Sequence, residues 1–137
     1  MPVIGKKTYT IPILARSRDF ADAETVDNFA FSAEAGPSQD KMYFAKNGII
    51  TQVVLLSHSE GVASSNEAWP WYLRINATTD YLLATVSSTA ALKNFSKLSG
   101  LNIPVTTTDF WNIKTVCPTW ATNPTGTWMS GYIVVSY

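Results

Sequence analysis

The sequence predicts an all-β protein: an antiparallel β-sandwich of two sheets, of the jelly-roll type, with about eight strands. Three observations predict it. Apolar and polar residues alternate with the period of two that a half-buried strand shows. Turn-forming pairs such as Asn47-Gly48 and Ser99-Gly100 separate these runs. The two helix candidates, residues 16–24 and 89–97, sustain no apolar stripe. An immunoglobulin-like sandwich is the alternative.

The first half of the chain contains three predicted strands. Residues 8–14 place their apolar side chains on one side, and Pro12 indicates an edge strand or a bulge because proline has no backbone N–H to donate. Residues 25–33 are a further candidate. Residues 49–56 are apolar on both faces apart from two polar side chains, so we expect a central strand covered on two sides.

The second half shows the clearest alternation. Within residues 69–76, every second residue is large and apolar: Trp69, Trp71, Leu73 and Ile75. Residues 109–116 alternate in the same way, but the pattern does not identify their buried face. Strands over residues 81–86, 101–105 and 128–137 complete the set.

Composition limits the domain count and the kind of partner. A chain of 137 residues predicts one sandwich domain over residues 1–137, with residues 1–47 as a docking or arm region plus the first strands. Ten basic residues balance ten acidic ones, which argues against nucleic-acid binding. The apolar runs are far shorter than a membrane span. With 16 Thr, 13 Ser and no charge after Lys114, we expect the C-terminal surface to be hydroxyl-coated or covered by a partner.

No group of residues predicts catalysis, a metal or a cofactor. His58 lies near Ser57 and Glu60, the residue types of a hydrolase triad, but adjacent residues on a strand point to opposite faces. The densest acidic group contains Asp19 and Asp22 and lacks the spacing and the glycine of a calcium loop, so we expect a solvated or partner-facing segment. One His and one Cys are too few for a zinc site within one chain.

Trp120 is the aromatic residue whose position suggests a binding role. It lies in a loop bracketed by Pro118 and Pro124, where a tryptophan must cap the sandwich end, meet another subunit or bind a ligand. As a ligand site, Trp120 would stack on a sugar ring while Thr119 and Asn123 form hydrogen bonds with its hydroxyls. Most other tryptophans fall on alternating strand positions, which predicts core packing.

Five segments within residues 48–137 form an ordered pattern: Gly48-Ile-Ile-Thr-Gln-Val-Val, Trp71-Tyr-Leu-Arg-Ile-Asn-Ala-Thr-Thr-Asp-Tyr81, Leu101-Asn-Ile-Pro-Val-Thr-Thr-Thr-Asp-Phe110, Pro118-Thr-Trp-Ala-Thr-Asn-Pro124 and Ser130-Gly-Tyr-Ile-Val-Val135. This pattern resembles the jelly-roll module of bacteriophage virion proteins, which include capsid decoration proteins and the tips of head and tail fibres. The family pattern has Gly-Asp where this chain has Thr108-Asp109, so we expect a reshaped loop. Residues 1–47 lie outside the resemblance.

The resemblance implies a compact jelly roll that assembles as a homotrimer. An uncharged face rich in Thr, Ser and aromatic residues would suit burial around a threefold axis. The residues predicted for the trimer interface are Trp120, Trp128 and Tyr132. The residues predicted to dock on the capsid are Arg16, Arg18, Asp19 and Asp22.

The sequence therefore predicts a non-enzymatic capsid decoration (cement) protein that binds and stabilises the capsid shell as a trimer. Its expected partner is the major capsid protein or another virion protein, with no nucleic acid or membrane involved. We expect it at the capsid surface of the virion, after synthesis in the host cytoplasm. The alternative function is a receptor- or carbohydrate-binding module at a phage fibre or baseplate tip, with a host glycan as its ligand.

Overall fold

The computed structural model describes residues 7–27, 41–61, 67–87 and 93–137, and of residues 14–18, 60, 61, 87, 93 and 94 it describes the backbone alone. The described ranges contain β-strands and no helix. The strands are β1 (Thr8–Arg18), β2 (Thr25–Val26), β3 (Met42–Tyr43), β4 (Gly48–Gly61), β5 (Ala68–Ile75), β6 (Thr79–Ser87), β7 (Lys93–Leu98), β8 (Ile103–Val105), β9 (Phe110–Val116) and β10 (Thr125–Ser136).

The strands form two antiparallel sheets. Sheet A has the order β1-β10-β4-β7, and β8 also pairs with β4. Sheet B has the order β2-β9-β5-β6, and β3 also pairs with β9. The predicted antiparallel two-sheet sandwich is confirmed. The structure adds β3 and β7 to the predicted strands. Residues of β7 were part of a helix candidate, and the other candidate begins inside β1. Of the candidate strand over residues 25–33, residues 25–26 form β2 and residues 28–33 lie outside the described residues.

The pairing of the strands is nested, and the nesting identifies the fold. The strands β1 and β10 pair with each other, as do β4 with β7 and β5 with β6, while β2 and β3 both pair with β9. The chain therefore runs as one long hairpin whose two arms pair from the outermost strands inward to β5 and β6. Wrapping such a hairpin into two sheets produces a jelly roll, as predicted.

The core lies between the two sheets. In β5 the burial alternates as the sequence predicts, with the even-spaced tryptophans pointing inward. The β9 face that the alternation left undetermined is now identified: Trp111 and Ile113 are fully buried. Sheet A supplies the opposite layer, which includes Ile13, Val53, Ile133 and Val135. Tryptophans fill much of the sheet B side because large flat rings bury more apolar area than any other side chain.

Two turns at one end of the sandwich are joined by the side chains of Asn76 and Asp109. The Nδ2 of Asn76 donates to Oδ1 of Asp109 at 2.8 Å, and the N–H of Phe110 donates to Oδ1 of Asn76 at 3.0 Å. Oδ2 of Asp109 accepts the N–H of Thr106 at 2.7 Å. Thr108 keeps a negative φ within this turn, so the turn forms without the glycine of the family pattern.

This pair makes the stability of the fold depend on pH. The hydrogen bond from Asn76, followed by that from the Thr106 backbone, holds the pKa of Asp109 below the ordinary 3.8. Because the folded-state pKa is lowered, ionised Asp109 stabilises the fold at higher pH, and this contribution is lost as pH falls below about 4. We expect Asn76→Ala to lower the free energy of unfolding at pH 6 by about 2 to 3 kcal/mol, because it removes both hydrogen bonds and places alanine at a φ of 54°. The variant should also lose less stability on acidification than the wild type does. Urea unfolding at pH 6 and at pH 3 measures both effects; parallel pH profiles in the two proteins would contradict this role of Asn76.

Candidate interaction surface

Carboxylates from distant parts of the chain hold the loop that connects β9 to β10 and the first residues of β10. Oδ1 of Asp22 accepts the N–H of Trp120 at 3.0 Å, and Oδ1 of Asp19 accepts the N–H of Gly126 at 2.7 Å. From another side, Oε1 of Glu67 accepts the N–H of Ala121 at 3.2 Å. Hydrogen bonds from a backbone N–H to an ionised carboxylate are stronger than neutral ones, so this loop is well anchored.

The side chain of Trp120 belongs to the core, which corrects its predicted role. The residue is 4% exposed, and its ring packs edge-on against Trp69 with centroids 5.1 Å apart. Phe20 packs edge-on against the same Trp69 ring at 5.2 Å. The anchored loop turns the indole inward, so Trp120 caps the end of the sandwich. Neither a sugar ring nor a neighbouring subunit can stack on this ring without displacing it.

The other two residues of the predicted ligand site differ in exposure. Thr119 is exposed, whereas Asn123 is half-buried and its Nδ2 donates to the backbone oxygen of Phe20 at 3.1 Å. Without an accessible aromatic ring, the loop keeps one exposed hydroxyl group from the predicted set. The sugar-stacking arrangement expected around Trp120 is therefore not present there.

The predicted docking residues lie on the N-terminal segment before and after the end of β1. Asp19 and Asp22 are exposed, but each has one carboxylate oxygen committed to the loop described above. Arg16 and Arg18 lie in the part of β1 whose side chains are outside the described part of the structure. The acidic stretch thus has an internal structural role that sequence analysis missed, because its partners lie about a hundred positions away.

Trp128 and Tyr132, predicted for a trimer interface, lie together on the outer side of sheet A. Register pairs Leu56 of β4 with Phe95 of β7, and Trp128 of β10 with His58 of β4. Leu56 is 43% exposed, Phe95 66% and Trp128 49%. We call this outward side the apolar face. Its apolar members with described side chains are Val54, Leu56, Phe95, Trp128, Tyr132 and Val134.

The centre of the apolar face is closely packed although no strand of the described ranges lies over it. Val54 points away from the core, yet it is 2% exposed because Tyr132 and Lys97 flank it on the neighbouring strands. Leu56, two residues further along β4, has no such cover. Within the described ranges β4 is thus buried on both sides at Val53 and Val54, and its outer side is partly exposed at Leu56.

The outer side of sheet B carries several ion pairs. Nζ of Lys114 lies 2.6 Å from Oδ2 of Asp80, and Arg74 lies 3.5 Å from Asp80 and 3.6 Å from Asp27. Such a network of partly exposed ion pairs is typical of a surface that faces water. Among its large apolar residues with described side chains, Leu82 is 53% exposed. Tyr43 on the same side is 57% exposed, so the two outer sides differ in their ion pairs and both carry exposed apolar side chains.

His58 takes part in the apolar face rather than in a catalytic arrangement. Its ring lies edge-on to Trp128, with centroids 6.5 Å apart. Ser57 is buried and follows the opposite alternation on β4, so it does not share a face with His58. Within the described ranges, no three His, Cys, Asp or Glu side chains come together in a way that could hold a metal ion.

A small cavity of about 70 Å³ opens at the edge of the sandwich between β4, β6 and β7. Its lining includes Leu55, Val86 and Phe95. Sites for small molecules usually measure at least about 300 Å³, so this cavity is too small for one. The described part of the chain also contains no helix long and apolar enough to span a membrane.

Comparison with known proteins shows similarity in fold. No protein-family model matches the sequence, and no curated protein matches it. Among solved structures, the chain is similar to one chain in the structure of infectious bursal disease virus, Gx strain, with a TM-score of 0.51 and 14% sequence identity. The match covers 96% of this chain and 32% of the viral chain. This chain thus corresponds to about a third of the viral chain, and the match supports the all-β sandwich.

Proposed function

We propose that this protein is a non-enzymatic structural component of a virion, and specifically a capsid decoration (cement) protein of a bacteriophage that acts as a homotrimer. The observation that carries the proposal is a jelly-roll sandwich with a chain from a virus structure as its structural match. The exposed apolar face adds to it, because monomeric soluble proteins rarely leave a large contiguous apolar patch open to water.

The proposed partner is the major capsid protein of the same virion. A protein of 137 residues offers a modest contact area, so stable attachment benefits from several linked contacts. A trimer presents three copies of the docking surface at once, and the second and third contacts then form at high effective concentration. Attachment at the capsid surface would in this way hold neighbouring shell subunits together.

Purified virions of the source virus provide the test. We expect the protein in gradient-purified particles at a fixed copy number, located by antibody labelling and electron microscopy over the shell. Capsids stripped of the protein should rupture at a lower temperature, and adding purified protein should restore the wild-type value. Co-sedimentation of the purified protein with stripped capsids gives a second, direct measurement of binding.

Two results would contradict the proposal. Absence of the protein from purified particles would exclude a structural role in the virion. Labelling confined to the tail or baseplate would favour the alternative, a receptor- or carbohydrate-binding module, over decoration of the shell.

A further inference from the structure

We propose that the apolar face of sheet A is buried against other copies of this chain. The inference rests on the proposed homotrimer and identifies the surface that holds it together. The three most exposed anchors of this face are Leu56, Phe95 and Trp128, which come from three adjacent strands, β4, β7 and β10.

The sequence of β4 supports a covering layer. A strand that is apolar on both faces is typical of sheets covered on both sides. In this structure the inward residues Val53 and Leu55 belong to the core, whereas the outward Leu56 is 43% exposed. Among the described residues, the outward Leu56 of β4 is thus left partly open to water, whereas the outward Val54 is buried. A second layer from outside the chain would account for it.

The size of the apolar face fits a protein partner. Four strands about 4.8 Å apart and eight residues long, at about 3.3 Å per residue, span a flat area on the order of 500 Å², to which the projecting side chains add further surface. Each partner in a standard interface contributes about 800 Å². Sheet A thus supplies most of the area that a stable contact needs. The ring of Trp128 and the ring of Phe95 are the side chains that dominate such contacts.

Charge favours a copy of this chain as the occupant. Among the side chains described on this face, Lys97 is charged and lies on the edge strand β7, and no acidic residue is present. The copies of a trimer can therefore bury this face around the threefold axis while Lys97 stays at the rim in water. Among the described side chains, a basic partner would find no complementary charge here and an acidic partner would find Lys97 alone. The zero net charge of the chain also removes long-range repulsion between copies.

The test compares oligomeric mass across a matched pair of variants. Leu56→Asp combined with Phe95→Asp places charge on the apolar face, and Leu82→Asp places charge at a residue of similar exposure on the outer side of sheet B. By size exclusion with light scattering, we expect the wild type and Leu82→Asp near three times the chain mass of 15.0 kDa. The double variant should run as a monomer while keeping the wild-type circular dichroism spectrum.

Footprinting of the unmodified protein keeps the inference testable if the double variant does not fold. Hydroxyl radicals should label Leu82 strongly and should label Leu56, Phe95 and Trp128 less as the protein concentration rises. A wild type that stays monomeric at high concentration, or a double variant that keeps the wild-type mass, would overturn the inference.

The outcomes separate this inference from the proposed function. A monomeric wild type that still binds stripped capsids would overturn the inference and leave the decoration role standing. An oligomer that the double variant disrupts, but that is absent from virions, would support the inference and contradict the decoration role. A stable dimer disrupted in the same way would support the buried face and contradict the trimer.

Discussion

Replacement of Gly131 by alanine is expected to lower the free energy of unfolding by about 3 kcal/mol. This is the upper end of the usual cost of adding a group where rigid neighbours leave no room. Gly131 lies in β10 opposite Leu55 of β4, in the middle of the most extensive strand pairing of sheet A. Its φ is 154°, and an added Cβ would overlap the carbonyl oxygen of Val54 and lie 3.2 Å from Cα of Leu55. Both contacts are with backbone, so relief requires the two strands to separate.

Gly100 provides the matched control for this substitution. It has a φ of 68°, and nothing lies within 4 Å of where its Cβ would be. Gly100→Ala should therefore cost the backbone strain alone, about 1 to 2 kcal/mol. Urea unfolding followed by tryptophan fluorescence, at one protein concentration for all variants, measures both losses. Equal losses for the two variants would show that β4 and β10 adjust to a methyl group without breaking their pairing.

The substitution Trp120→Ala is expected to cost about 3 to 5 kcal/mol, the range found for removing a large aromatic side chain from a core. The physical reason is the packing of the indole against Trp69 and its near-complete burial. Trp120→Phe should cost much less. A phenyl ring keeps most of the contact, and the indole N–H that is lost has no acceptor within the described part of the chain.

Thr119→Ala is the control for the effect of Trp120 on stability. Thr119 is exposed and adjacent to Trp120, so its truncation should change the free energy of unfolding by less than about 0.5 kcal/mol. Chemical denaturation of the three variants gives the ranking directly. If Trp120→Ala unfolded at the same urea concentration as the wild type, Trp120 would be a surface residue, and a binding role for its ring would again need consideration.

The distribution of charged residues in the structure follows the two sheets of the sandwich and differs from their distribution along the chain. The sequence places most charge in the N-terminal half and predicts docking there. In the structure, however, Asp19 and Asp22 brace the loop before β10, and Asp80 and Lys114 lie on the outer side of sheet B. Polarity thus follows the sheets, because pairing of the first strand with the last brings both halves of the chain into each sheet.

The sequence by itself predicted eight of the ten described strands and the inward side of β5. Alternation is a local property, since neighbouring side chains on a strand point to opposite faces, so Trp69, Trp71 and Leu73 could be assigned to the core directly. Gly131 was also part of the sequence pattern that resembles the phage module. The structure alone shows its physical reason, which is the close approach of the carbonyl oxygen of Val54.

The tertiary structure alone decided which residues are partners across the chain and which outward apolar side chains are exposed within the described ranges. Trp120 lies between Pro118 and Pro124 and outside any strand, so its sequence setting left capping of the sandwich, a subunit contact and ligand binding open. Its burial depends on a hydrogen bond from its N–H to Asp22, 98 positions away. Likewise, the apolar pattern of β4 is the same whether its outer side meets another layer or water. Exposure depends on contacts between distant segments, and local alternation carries no information about them.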